Sequence, residues 1–139
     1  MKPAAPRLAG ISQVPTVLFV DPDLEGSQRL AAAIADRCAT GIVAGIAGAN
    51  QAIATHVPTI IVTELDLPDG NGIDFIRRIH AAPQTSNVLL MVLSRRRGVG
   101  EKIAALTAGA DDFLVKPVSP EAFAFQVRRL LRFRQIFTY

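Results

Sequence analysis

Residues 58–72 read P-T-I-I-V-T-E-L-D-L-P-D-G-N-G. An apolar run, Ile60, Ile61 and Val62, leads to an acid, Glu64, and a Pro-Asp-Gly-Asn-Gly turn opens at Pro68, four residues later. A short apolar run without alternation predicts a strand covered on both faces. The Pro/Gly/Asn cluster after it predicts a loop that leads into a helix. In open parallel α/β sheets, ligands bind just beyond the carboxyl ends of the strands. Glu64 is therefore delivered to a place where chemistry is expected.

The rest of the chain repeats this alternation. Strand-like runs occur at Thr16–Val20, Ile42–Ile46, Thr59–Val62, Val88–Leu93 and Phe113–Val115, with helix-period segments between them. Leu30 and Ile34 share a face in the first helix; Ile73, Ile76 and His80 do so in the third, and Phe123, Val127 and Leu130 in the last. Gly70, Gly72, Gly98, Gly100 and Gly109 fall near element ends, where turns and helix stops are needed. Five β-then-α units in 139 residues predict one doubly wound α/β domain, a five-stranded parallel sheet with helices on both faces. The expected boundaries are a flexible leader over 1–15, carrying three prolines, the domain proper over 16–134, and a tail over 135–139.

Composition excludes several classes. Half the residues are hydrophobic and 19% are charged, which rules out a disordered body. The longest apolar runs, Leu30 to Ala35 and Val88 to Leu93, are too short to span a bilayer, and the first residues lack the apolar core of a signal peptide. No membrane association is expected. The single cysteine, Cys38, cannot pair within the chain, so a cytoplasmic setting is expected and Cys38 reads as a small buried apolar group. His56 and His80 have no partners at metal-ligand spacing.

Four predicted strand ends carry polar groups that would converge. Asp21, Pro22 and Asp23 follow the first strand; Glu64 and Asp66 follow the third. Ser94 follows the fourth and Lys116-Pro117 the fifth. Acids, a hydroxyl and an ammonium around one point suit a divalent cation and a phosphoryl group, since Mg²⁺ takes one or two carboxylates and keeps waters.

These same segments resemble a known family. V-L-F-V-D at 17–21, E-L-D-L-P-D-G-N-G at 64–72, V-L-S at 92–94 and G-A-D-D-F-L-V-K-P at 109–117 are similar to the receiver domain of bacterial response regulators, of the chemotaxis (CheY-like) type. The resemblance spans nearly the whole chain. It implies a flavodoxin-like (βα)5 fold with strand order 2-1-3-4-5. It also implies two-component (phosphorelay) signalling, in which a sensor kinase donates a phosphoryl group to an aspartate at the end of the third strand with Mg²⁺ present. The signal would leave through the face formed by the fourth helix, fifth strand and fifth helix.

Carried over position by position, the resemblance is partial. Asp21 matches the first acid of the family's metal pair, but Pro22 stands where the second acid belongs. Glu64 matches the phosphoacceptor; Pro68, four residues on, sets that register and excludes Asp66 as the acceptor. Ser94 matches the switch hydroxyl, Lys116 the pocket lysine and Phe113 the switch aromatic, while Arg95 replaces a small residue at the rim. The resemblance thus points to a degenerate receiver, a pseudo-receiver and not an enzyme, with no cofactor or a weak, vestigial Mg²⁺ site on Asp21 and Glu64.

Pro22 removes an anionic ligand, although a proline near a helix start is also structurally at ease. Glu64 reaches ~1.5 Å further than aspartate, which disturbs an in-line geometry that tolerates little error. Phosphate brings roughly −1.5 to −2 charges and three acceptor oxygens, against one charge and two oxygens on Glu64, so constitutive mimicry is expected to be weak. Arg95 or Arg96 is expected to pair with Glu64 or Asp66 and plug the pocket; the bland alternative is a solvated basic loop. Asp111 and Asp112 are expected to cap or ion-pair at the start of the fifth strand.

The last helix carries Arg128, Arg129, Arg132 and Arg134, with Leu130, Leu131, Phe133, Ile136 and Phe137 adding apolar bulk. At a net charge of +3 and without a DNA-reading motif, protein contact is preferred over nucleic acid. The partner would be a sensor kinase, a downstream target or a second copy. Ala122 and Gln126 stand where the family's DNA-binding branch keeps a charged dimer network, which argues against that particular homodimer. Two alternatives stay open: a phosphorylation-competent Mg²⁺-dependent receiver, and a basic nucleic-acid-binding adaptor. A flavin carrier is disfavoured, because no loop offers the small and hydroxyl residues that cradle a flavin phosphate.

Overall fold

The computed structural model describes residues 14–138, with side chains as far as residue 132. Most of the expected leader, and the side chains of Phe133, Arg134, Ile136 and Phe137, lie outside the described residues. Five strands, β1 (Thr16–Val20), β2 (Ala39–Val43), β3 (Ile60–Thr63), β4 (Leu89–Ser94) and β5 (Asp112–Val115), form one parallel sheet. Its order, β2-β1-β3-β4-β5, is the expected one. Helices α1 (Leu24–Ala33), α2 (Ile46–Thr55), α3 (Gly72–Ala81), α4 (Val99–Ala108) and α5 (Pro120–Thr138) connect and follow the strands. The backbone of α5 stays helical over 135–138, the stretch read as a tail.

Strand alternation sorts the core into two layers. Val17, Phe19, Ile60, Val62, Met91 and Leu93 face α1 and α5, where Leu30, Ile34, Phe123 and Val127 meet them. Phe19 and Phe123 pack with ring centroids 5.7 Å apart. Leu18, Val20, Ile61, Leu90 and Val92 face the other side and pack with Ile46, Phe75, Ile76 and Ile79. Because β1, β3 and β4 are covered on both faces, their residues read as continuous apolar runs.

Two expectations need correction. The second strand is Ala39–Val43, not Ile42–Ile46; Ile46 opens α2 instead. β2 is a sheet edge whose first three residues are exposed, so apolarity does not mark it. On α3 the buried stripe is Phe75, Ile76 and Ile79, whereas His80 is exposed and Ile73 half-buried. The helix begins at Gly72, and that phase turns His80 away from the sheet.

Two glycines serve close approaches. A Cβ on Gly72 would come within 2.6 Å of the Glu64 carbonyl oxygen and the Leu65 Cα, so only glycine lets α3 start directly behind the acid. Gly109 ends α4 with φ +129, and a Cβ there would meet His80 Cγ at 2.6 Å. Gly109→Ala is expected to cost about 1–3 kcal/mol of unfolding free energy through backbone strain, read by chemical denaturation, with Gly100→Ala, in open space, as the mild control.

Candidate functional site

The parallel register brings the predicted residues together. Val20 pairs with Thr63, so Asp21 and Glu64 are the next residues past adjacent strand ends; Ser94 pairs with Val115, so Lys116 follows beside it. The ladder continues one step beyond the strands: Glu64 N–H donates to Val20 O at 3.0 Å and Lys116 N–H to Ser94 O at 2.8 Å. Asp21 N–H donates to Val43 O at 2.9 Å on the other side. Backbone geometry thereby delivers three polar residues to one place.

Lys116 is the centre of that point. Its Nζ lies 2.8 Å from Asp21 Oδ2 and 3.1 Å from Glu64 Oε1, bridging the two acids. All three side chains are almost wholly buried, 11% exposed for Lys116, 7% for Asp21 and 8% for Glu64. Burial pulls the Lys116 ammonium down, but hydrogen bonds and charge from Asp21 and then Glu64 outweigh it, so its pKa rises above 10.5. The Lys116–Pro117 peptide bond is cis.

The extra methylene of Glu64 is absorbed by folding back. Its Oε2 accepts from Leu65 N–H at 2.7 Å and from Asp66 N–H at 3.4 Å, while Oε1 faces Lys116. The second oxygen of Asp21, Oδ1, accepts from Asp23 N–H at 2.9 Å. Every oxygen of the two carboxylates therefore has a donor. Asp23 caps α1 by accepting from Gly26 N–H, and Pro22 is exposed and offers no side-chain oxygen.

In this donor set Asp21 and Glu64 are the carboxylates that would hold Mg²⁺, and the Lys116 ammonium competes for them. A dication needs carboxylate oxygens free to coordinate it, and here an ammonium already occupies the space between the acids. Among the described residues no group of three or more His, Cys, Asp or Glu could hold a metal. Titration of the ¹⁵N-labelled chain with Mg²⁺ is expected to show no saturable shift of the Asp21, Glu64 or Lys116 amides at millimolar concentration. Saturation there would show that the dication displaces Lys116.

The arginine expectation resolves in part. Arg96 grips Asp66 with two nitrogens, Nη2 at 2.8 Å and Nε at 3.0 and 3.1 Å, and reaches Glu101 at 3.5 Å. A guanidinium fork suits a carboxylate in this way. Hydrogen bonds from Arg96, with its charge, hold the Asp66 carboxyl below its ordinary value, although the little burial there acts the other way. The pair is about half exposed, a latch across the rim and not an internal plug. Arg95 ion-pairs with neither acid; it lines a small cavity of about 140 Å³ with Asp21, Arg29 and Lys116.

The other expected residues fall as follows. Ser94 is fully buried, and its hydroxyl accepts from Arg96 N–H at 3.2 Å. Phe113 is buried, packed in the core with Val92 and Ala105. Asp112 caps its own strand start by accepting from Phe113 N–H, and Asp111 accepts from Leu90 N–H at 2.8 Å. Burial pushes the Asp111 carboxyl up. Cys38 is buried, as expected.

One residue of the site region escaped sequence reasoning. Asp69 accepts from Ile46 N–H at 2.8 Å and Ala47 N–H at 2.9 Å, so it caps α2 from a loop 23 residues away. Those backbone bonds hold its carboxyl below the usual range. Its place in a Pro-Asp-Gly turn gave it a sufficient local explanation, and only Gly45, which leaves room for the carboxylate, carried any further signal.

The fold is shared with known proteins. A family model described as the response regulator receiver domain matches residues 17–128. The KDP operon transcriptional regulatory protein KdpE of Escherichia coli is 47% identical over 79 residues, covering 57% of this chain and 34% of that protein. The transcriptional regulatory protein y4xI of Sinorhizobium fredii, described as a probable one, is 34% identical over 116 residues, 83% of this chain and 50% of the relative. The chain thus spans half or less of the length of these two relatives. A two-component response regulator from Clostridium difficile superposes with a TM-score of 0.79 at 23% identity, over 85% of this chain and 96% of that one. Chemotaxis protein CheY4 of Vibrio cholerae gives 0.77 at 20% identity, over 84% and 98%. At those identities the two structures bear on the fold alone.

Proposed function

Because the chain belongs to the response regulator receiver domain family, we propose that it is a pseudo-receiver, a module that signals through protein contact and not through phosphorylation of Glu64. Receiver domains serve two-component signal transduction and are signalling domains, not classical enzymes. The receiver unit is assigned to residues 16–134, with Glu64 at the phosphoacceptor position and Asp21, Pro22, Asp66, Ser94, Arg95 and Lys116 around it. Phe113, packed in the core, serves as a fixed aromatic and not a moving switch.

One observation carries this reading. Lys116 bridges Asp21 and Glu64 at 2.8 and 3.1 Å, and the remaining Glu64 oxygen is held by backbone N–H groups. Each oxygen of the two carboxylates already accepts from a donor, with which a phosphoryl group or a cation would have to compete. The pocket residues then act as a lock on one conformation. Incubation with acetyl phosphate and Mg²⁺, read by intact mass, tests the proposal, and a phosphoryl group on Glu64 would refute it.

An apolar stripe supports protein contact. Val99, Ile103 and Leu106, at i, i+4 and i+7 on α4, are 72%, 57% and 40% exposed. Such a stripe marks an interaction surface more than a solvated face. Ala122 and Gln126 supply no acid–base pair for a charged network on α5, so the apolar contact is placed on the α4 stripe. The two curated relatives are named transcriptional regulatory proteins. Any contact of this chain's pathway with DNA is assigned to another protein segment. Among the described residues no helix is long and apolar enough to cross a membrane.

A further inference from the structure

At the opposite end of the sheet from Glu64, where the strands begin, a groove of about 920 Å³ opens between β1, β3, β4 and α5. Three guanidinium-bearing residues, Arg37, Arg128 and Arg132, and the imidazole of His56 line it, and no acid does. Arg128 and Arg132 are i and i+4 on α5, hence on one side of that helix, and both are exposed. Asp36 lies a loose 3.8 Å from Arg37 Nε, with both side chains well exposed, while Asp111 and Asp112 share a neighbouring cleft with Arg132 and Glu121 shares another with Arg128. The floor mixes apolar and polar groups: Val14 is 53% exposed, Val57 43% and Leu131 half-buried, with Thr59 and Gln84 beside them. Partly exposed aliphatic side chains beside exposed guanidiniums form a surface that an anion with apolar side chains would complement.

We propose that this groove docks an acidic, apolar-anchored peptide segment of a protein partner. Charge complementarity selects the occupant. The chain's own residues 1–13 hold Lys2 and Arg7 and no acid, so they do not complement the groove. Single-stranded nucleic acid calls for several aromatic stacking platforms, and among the described residues the groove's lining holds the His56 ring but no Phe, Tyr or Trp. Carboxylates of the partner would meet Arg37, Arg128 and Arg132 at the rim while Leu or Val side chains rest on Val57 and Leu131. This site is independent of the Glu64 pocket, so the fate of acetyl phosphate there neither supports nor removes it.

The test uses the full chain and a fluorescein-labelled peptide of alternating Glu and Leu, beside poly-Glu and a mixed-sequence single-stranded DNA of matched charge. Anisotropy is expected to show that the Glu/Leu peptide binds most tightly and that binding weakens with salt. The Arg128→Glu, Arg132→Glu double variant should lose about tenfold or more in affinity with an unchanged melting temperature. In the ¹⁵N spectrum, shifts should concentrate at 56–59, 87–88 and 128–132 and spare Glu64 and Lys116. Absence of peptide binding, or binding untouched by the double reversal, would overturn the proposal. Tighter binding of the DNA than of the Glu/Leu peptide would overturn it in favour of a nucleic-acid surface.

Discussion

Incubated with acetyl phosphate and Mg²⁺, the native chain is expected to keep its mass, while the Pro22→Asp, Glu64→Asp double variant gains one phosphoryl group. The reaction requires a carboxylate oxygen to attack phosphorus as the bond to acetate breaks and acetate departs on the opposite side. Glu64 carries its oxygens ~1.5 Å further than aspartate would, and in the fold that extra length turns the carboxylate back onto Leu65 N–H. A misplacement of about 1 Å costs on the order of 10²-fold in rate, and the missing acid at Pro22 adds to it. Glu64→Asp alone should label slowly, and Asp66→Asn in the double variant should leave the label in place. A native chain labelled at Glu64 would overturn the pseudo-receiver reading. Should neither chain be labelled, Pro22 and Glu64 are not the cause of the block.

Lys116→Met is expected to destabilise the fold by about 3–5 kcal/mol, the cost of removing one partner from a buried ionic cluster. Methionine keeps the length and the apolar stem but leaves Asp21 and Glu64 facing each other without a cation, both 6% exposed as whole residues. Adding Glu64→Gln to that variant should recover part of the loss, because one buried charge disappears, and the double-mutant cycle isolates the pair. The pH dependence follows from the raised folded-state pKa of Lys116. Its contribution is fully present below the unfolded value near 10.5 and is lost as pH rises through the higher folded value. Native and Lys116→Met stabilities, measured by urea denaturation, should therefore converge at strongly alkaline pH. A constant gap across that range, or a loss well under about 1 kcal/mol, would show that Lys116 is no keystone.

The architecture was legible because its evidence is local. Strands buried on both faces show as unbroken runs, such as Ile60 to Val62, and α5 shows as Phe123, Val127 and Leu130 at spacings of four and three. Where burial is one-sided or slight the signal fades, which is why β2 at the sheet edge was read three residues late. The phase of α3 was misread for a related reason: its start is set by Gly72 packing on the Glu64–Leu65 backbone, a contact no periodicity records.

The sequence by itself determined which groups could meet at the carboxyl end of the sheet. Strand ends at Val20, Thr63, Ser94 and Val115 deliver Asp21, Glu64 and Lys116 there whatever their side chains then do, because parallel register sets the order of backbone atoms. Only the tertiary structure decided the pairing. Arg96, not Arg95, takes Asp66; Lys116 takes both buried acids; Glu64 bends onto its own loop. It likewise made Asp69 a cap for α2. Such choices rest on distances of a few tenths of an ångström between groups far apart in the chain. Residue type limits the candidates, but only the folded geometry ranks them.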